Sequence, residues 1–113
     1  MGMSVWSEDD KLYVKLCGEI DHHAVVNVRL EVDNMINKKR PAHLFLDLSS
    51  IEFMDSSGLG FVLGRLRHLN EYGGTLYVLN PKPRSLQMLQ MAGADKLVKI
   101  IYSEMQKGSE QNV

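Results

Sequence analysis

The sequence predicts an α/β fold with a mostly parallel sheet, and three observations carry that prediction. Strand-like apolar segments alternate with segments of helical spacing from residue 21 onward. Leu44-Phe45-Leu46-Asp47-Leu48 is apolar almost throughout, the pattern of a strand covered on both faces at the centre of a sheet. Pro41, Gly73-Gly74 and Gly93 stand where helical segments must stop and turn back. At 113 residues there is room for one domain, so residues 1–113 read as a single unit.

Residues 4–8 and 11–17 flank Asp9-Asp10 and read as a hairpin or a pair of short strands. Leu12, Val14 and Leu16 alternate with Tyr13, Lys15 and Cys17, so one face meets a core. Trp6, the one tryptophan, caps that core or lies partly exposed. Gly18 to His23 ends the strand and opens a helix, with Asp21 as its N-cap because a carboxylate there accepts from backbone N–H groups two or three residues on. Val25, Val28, Val32, Met35 and Ile36 form its apolar stripe, and Lys38-Lys39-Arg40 complements the negative end of the helix dipole.

A strand over 43–48 precedes a loop over 49–54, in which Ile51 and Phe53 serve as anchors. The second helix runs from Ser56 or Ser57 to Tyr72, with Leu59, Val62, Leu63, Leu66 and Leu69 on one face; Gly60 and Gly64, one turn apart, let it approach the sheet. Residues 75–79 form another strand, and Pro83 opens a third helix that Gly93 ends. A last strand covers 97–102. Ser103-Glu104-Met105-Gln106 is a capping-box pattern for a short terminal helix, and 108–113 reads as a frayed polar tail.

Composition excludes several function classes. Lys plus Arg is 13 against 14 for Asp plus Glu, a net charge of −1, so there is no clustered basic surface for nucleic acid. The single cysteine, Cys17, forms no internal disulfide and reads as a packing residue in a reducing compartment. No apolar stretch approaches the roughly 18–20 residues of a membrane span, and the N-terminus lacks a signal pattern, so the expected location is the cytoplasm.

Chemistry concentrates in Asp55-Ser56-Ser57-Gly58-Leu59-Gly60, where a helix begins at the carboxyl edge of the sheet. The glycines Gly58, Gly60 and Gly64 do not follow a first strand directly, so they do not make a dinucleotide fingerprint, and a phosphate loop with its lysine is absent. A serine nucleophile would need a base and an orienting group; there is no G-x-S-x-G elbow, and the spacing places none of His22, His23, His43 or His68 beside Ser56. Adjacent histidines such as His22-His23 point about 100° apart on a helix and rarely share one metal. Both serines can cap the helix, which leaves capping and function as competing explanations, and spacing alone does not separate Ser56 from Ser57.

Gly18-Glu19-Ile20-Asp21-His22-His23, Phe53-Met54-Asp55-Ser56-Ser57-Gly58-Leu59-Gly60 and Leu63-Gly64-Arg65 resemble the STAS-domain anti-anti-sigma factors, most of all the anti-sigma F factor antagonists of spore-forming bacteria. The similarity runs from the first strand pair to about Tyr102. The resemblance implies one STAS-type domain, a four- to five-stranded mixed sheet with helices packed mainly on one face. It implies a partner switch that promotes sporulation transcription. The unphosphorylated protein binds an anti-sigma factor that is also a serine kinase, the sigma factor is freed, phosphorylation of Ser56 ends the binding, and a serine phosphatase resets it. Asp21, His22, Asp55, Ser57, Gly58 and Leu59 join Ser56 in the partner-facing surface on this resemblance. It implies no catalysis in this chain; the residue patterns lead to no expected cofactor or metal, and a monomer when free is the default expectation. The alternative is a STAS domain that senses a small anionic or nucleotide ligand at the same helix start; a small hydrolase using Ser56 is the third reading.

Overall fold

The computed structural model describes residues 2–103. Its elements in chain order are β1 (Gly2–Glu8), β2 (Lys11–Ile20), α1 (His22–Lys39), β3 (His43–Met54), α2 (Ser56–Asn70), β4 (Thr75–Leu79), α3 (Pro83–Met91), a single 3-10 turn (Ala94–Lys96) and β5 (Lys99–Ile101). The five strands lie in the order β1-β2-β3-β4-β5, with β1 antiparallel to β2 and every later pair parallel. Each parallel step moves the same way along the sheet, so right-handed crossovers bring α1, α2 and α3 to one face. The expected mixed α/β sheet with helices on one side is the fold. The terminal capping box from Glu104 on, and the tail over 108–113, lie outside the described residues.

One core fills the space between sheet and helices. Leu12, Val14 and Leu16 of β2, Leu44, Leu46 and Leu48 of β3, and Leu76 and Val78 of β4 meet Val25, Val28, Val32 and Ile36 of α1 and Phe61, Val62 and Leu69 of α2. The two helices are also tied to each other. Arg65, buried on α2, has its Nε 2.9 Å from Asp33 Oδ1 on α1, and His68 bridges Asp33 at 2.9 Å and Asn37 at 2.8 Å. Burial draws the Arg65 pKa down and the Asp33 carboxylate opposes that shift. Among the described residues no helix is long and apolar enough to cross a membrane.

The opposite face of the sheet carries rings in place of helices. Trp6, Tyr13, Phe45 and Tyr77 occupy matching positions on β1 to β4 and stack at centroid distances of 5.3, 4.7 and 4.4 Å. Cross-strand aromatic pairs of this kind each add roughly 0.2–1 kcal/mol to a sheet. Phe45 is thus covered, but by its neighbours' rings and not by a second layer of helices. Trp6 belongs to this row and not to the core.

Several local expectations are corrected. Residues 49–54 are not a loop but the continuation of β3, paired with β2 as far as Ile20↔Met54. Register shifts fall between Lys15 and Cys17 and between Gly18 and Glu19, each placing an extra residue on β3. Those bulges space the buried residues Leu48, Ile51 and Met54 three apart, which hides the period of two. Gly18 does not end β2; its φ of 104° sits at the irregularity and lets the strand run on to Ile20. Phe53 is no core anchor, being 40% exposed, while Ile51 is fully buried. Cys17 is exposed, since it lies on the face of β2 away from the core. The last strand is three residues long, because Ala94–Lys96 form the 3-10 turn and Leu97 faces solvent.

Candidate functional site

The carboxyl ends of β2 and β3 deliver two helix starts side by side. Ile20 pairs with Met54, and the Asp55 N–H donates to the Ile20 carbonyl at 3.2 Å. Asp21 and Asp55 therefore leave neighbouring strands together, each in extended backbone and each as the N-cap of the helix it begins. Asp21 accepts from Ala24 N–H at 2.9 Å. Asp55 accepts from Ser57 N–H at 2.8 Å and Gly58 N–H at 3.3 Å.

This assignment removes capping as the role of the two serines. Asp55 does the capping, so Ser56 and Ser57 occupy the first helical turn without capping it. The Ser56 hydroxyl is exposed and, among the described residues, has no hydrogen-bond partner; Ser57 is half-buried. Leu59 is half-buried, and His22 and His23 are exposed on the first turn of α1, their rings 5.9 Å apart. Among the described residues no three His, Cys, Asp or Glu side chains gather as a metal site.

Gly58 is the tight point. A Cβ there would stand 2.2 Å from Met54 Cγ and 3.0 Å from Ile20 Cγ2. The close approach expected of Gly60 and Gly64 belongs to Gly58 instead, since a Cβ at either of those positions meets nothing within 4 Å. Opposite effects are expected from one substitution. Gly60→Ala should stabilise by up to about 1 kcal/mol through helix propensity. Gly58→Ala should show a net loss on the order of 1 kcal/mol, because overpacking of about 1–3 kcal/mol outweighs that gain. Denaturant midpoints of the two variants check the signs.

The chain matches the STAS domain over residues 5–107. It belongs to the STAS domain family. It is 38% identical over 102 residues to the anti-sigma F factor antagonist of Paenibacillus polymyxa, covering 90% of this chain and 87% of that one. Its fold is similar to that of the anti-sigma factor antagonist SpoIIAA in its unphosphorylated form, with a TM-score of 0.82 at 27% identity over 98% of this chain and 96% of the other. The phosphorylated form of the Bacillus cell fate determinant SpoIIAA gives a TM-score of 0.78 at 26% identity, covering 99% of this chain and all (100%) of that one.

In this STAS domain the Asp21 cap responds to pH in a defined direction. The Asp21 pKa is lowered from its ordinary 3.8, chiefly by the Ala24 N–H, against an opposing push from burial, with help from the His23 backbone and charge. A carboxylate whose pKa is depressed on folding contributes stability above its unfolded value and loses it as pH falls through the folded one. Thermal unfolding followed into that acid range should therefore drop more steeply for the wild type than for Asp21→Asn, which keeps a capping oxygen and loses the titration.

The residue reading of the STAS domain did not foresee the groove beside Ser56. It encloses about 510 Å³ between the β3–α2 junction and α3, and its walls include Phe53, Leu59, Met88 and Met91. Arg84 and Asp55 are the charged side chains that line it. The start of α3 is held against the end of β3 by Lys82 Nζ, 3.1 Å from Glu52 Oε2. Met91, 81% exposed, and Phe53 were readable as apolar residues but not as neighbours, because they are brought together only by packing.

Proposed function

We propose that this STAS domain is an anti-sigma factor antagonist controlled by phosphorylation of Ser56. In the unphosphorylated state it binds an anti-sigma factor that is also a serine kinase, in the cytoplasm and as a monomer, and so frees a sigma factor for sporulation transcription. Transfer to Ser56 ends the binding and a serine phosphatase restores it. Asp21, His22, Asp55, Ser57, Gly58 and Leu59 make up the surrounding contact surface.

The observation that carries this reading is the exposed, uncapped Ser56 hydroxyl on a helix start whose capping is already satisfied by Asp55. Its release from capping leaves the oxygen free to attack the γ-phosphorus of the ATP held by the kinase. The bond from that phosphorus to the bridging oxygen breaks, ADP departs, and the hydroxyl proton passes to a base on the kinase. The names and folds of the similar antagonists point to the same partner class.

Phosphate adds about −1.5 to −2 charges, and a helix N-terminus favours negative charge. The domain should thus keep its fold, with the loss falling on the interface, where a strongly hydrated dianion must be desolvated or repelled. A hydrolase reading has less support. His43 is engaged with Tyr77 at the opposite end of β3, and His68 with Asp33 near the far end of α2.

Incubation with the cognate kinase and ATP, followed by phosphosite mapping, tests the assignment. Wild type and Ser57→Ala should each gain one phosphate at Ser56, and Ser56→Ala none. Phosphate loss in Ser57→Ala would overturn the choice of serine. Ligand affinity for a small anion or nucleotide with no protein partner would favour the sensing alternative.

A further inference from the structure

The groove beside Ser56 holds one cation, and nothing in the partner-switching reading uses it. Arg84 stands on the first turn of α3, exposed, and among the described residues it makes no ion pair. Its neighbour Lys82 is already committed to Glu52. The other charged group lining the groove, Asp55, is turned into the start of α2 by its two N–H bonds. The remaining walls are largely apolar, with Phe53 and Leu59 on one side and Met88 and Met91 on the other. A guanidinium without a carboxylate partner and the Ser56 side chain thus line one groove with largely apolar walls.

Resting on the reading of Ser56 as the modified residue, we propose that Arg84 is the internal counter-ion of the phosphorylated protein. Once Ser56 carries its phosphoryl group, the guanidinium donates to the phosphate oxygens across the groove. Arginine suits this role because its planar fork matches two phosphate oxygens at once, and apolar walls strengthen the pair relative to open water. The pair spans the groove from the β3–α2 junction to α3, which draws Phe53, Leu59 and the α3 methionines behind a bound, charged bridge. Phosphorylation then does two things at one site: it adds charge where the partner docks, and it closes the groove that the unphosphorylated surface leaves open. Arg84 is in this sense a positioning residue for the switched-off state.

The test uses full-length protein with phosphoserine installed at position 56 by genetic encoding, so it does not depend on which serine a kinase selects. Phosphorus NMR follows the second ionisation of the phosphoserine, ordinarily near a pH of about 6. An arginine partner favours the dianion, so the midpoint in the Arg84 protein should lie about half a unit or more below that of Arg84→Gln. Arg84→Lys should restore part of the shift. The Arg84 side-chain Nε–H resonance should also move when phosphoserine replaces Ser56. The helix start and Asp55 are common to all three proteins and cancel in the comparison. Coincident midpoints in wild type and Arg84→Gln, or an unmoved Arg84 resonance, would overturn the proposal. Failure of the partner-switching reading itself shows elsewhere, as an unphosphorylated protein that does not bind the kinase.

Discussion

Ser56→Asp should bind the anti-sigma partner at least about 30-fold more weakly than wild type, and melt at the same temperature or slightly higher. On the proposed function, the affinity loss follows from placing a charge in the proposed contact surface, which binding would desolvate. Such a change costs about 2–5 kcal/mol, or about 30-fold to several thousand-fold. The unchanged melting follows from the position. Ser56 is exposed and stands in the first turn of α2, where a carboxylate gains about 0.3–1 kcal/mol from the helix dipole. Ser56→Ala should bind and then resist switching by kinase and ATP. Calorimetric titration of both variants against the partner, beside their thermal melts, separates a binding switch from a folding defect. Equal affinity of Ser56→Asp and wild type would sink the mechanism, and a large drop in melting temperature would move the effect from the interface to the fold.

Ile20→Ala should destabilise the domain by about 2–5 kcal/mol, the range for removing a fully buried Ile or Leu side chain and leaving a cavity. Ile20 has no exposed surface, and its Cγ2 lies against the point where α2 comes closest to the sheet at Gly58. Its carbonyl also receives the Asp55 N–H, which sets the last step from β3 into the helix. The lost methyl groups therefore loosen the floor of the Ser56 site as well as the core. Chemical denaturation should show the loss in the midpoint. Hydrogen exchange at the Asp55 amide should quicken by more than the global change in stability accounts for. A loss under about 0.5 kcal/mol, typical of surface substitutions, would mean that the end of β2 carries little of the core.

Legibility followed the range of the physical signal. Asp21 was readable as an N-cap because a cap is a bond to an amide three residues on. The helix and strand segments were readable from period, with Val25, Val28, Val32 and Ile36 buried as their spacing predicts. The end of β3 was not readable, because its bulges exist only in the register with β2 and break the period that marks a strand. The role of Gly58 was not readable either. A glycine in a helix is the same letter whether Met54 and Ile20 lie beneath it or solvent does, and Gly60 lies two positions away with open space. At the second helix start the sequence offered both serines as caps, and the cap is Asp55, an assignment that needed the backbone conformation.

What the sequence determined by itself was the order of elements, the α/β class, the places where helices stop, and the motif residues that carry the family likeness. These depend on contacts between residues a few positions apart, which composition and spacing record directly. What only the tertiary structure decided was which groups come together: Asp21 beside Asp55, Ile20 under Gly58, Arg84 in one groove with Ser56. Those meetings are set by strand register and by helices docking on one face of a sheet. Residues more than thirty positions apart in Asp21 and Asp55 become neighbours through hydrogen bonds between strands, and no local pattern around either residue encodes the distance between them.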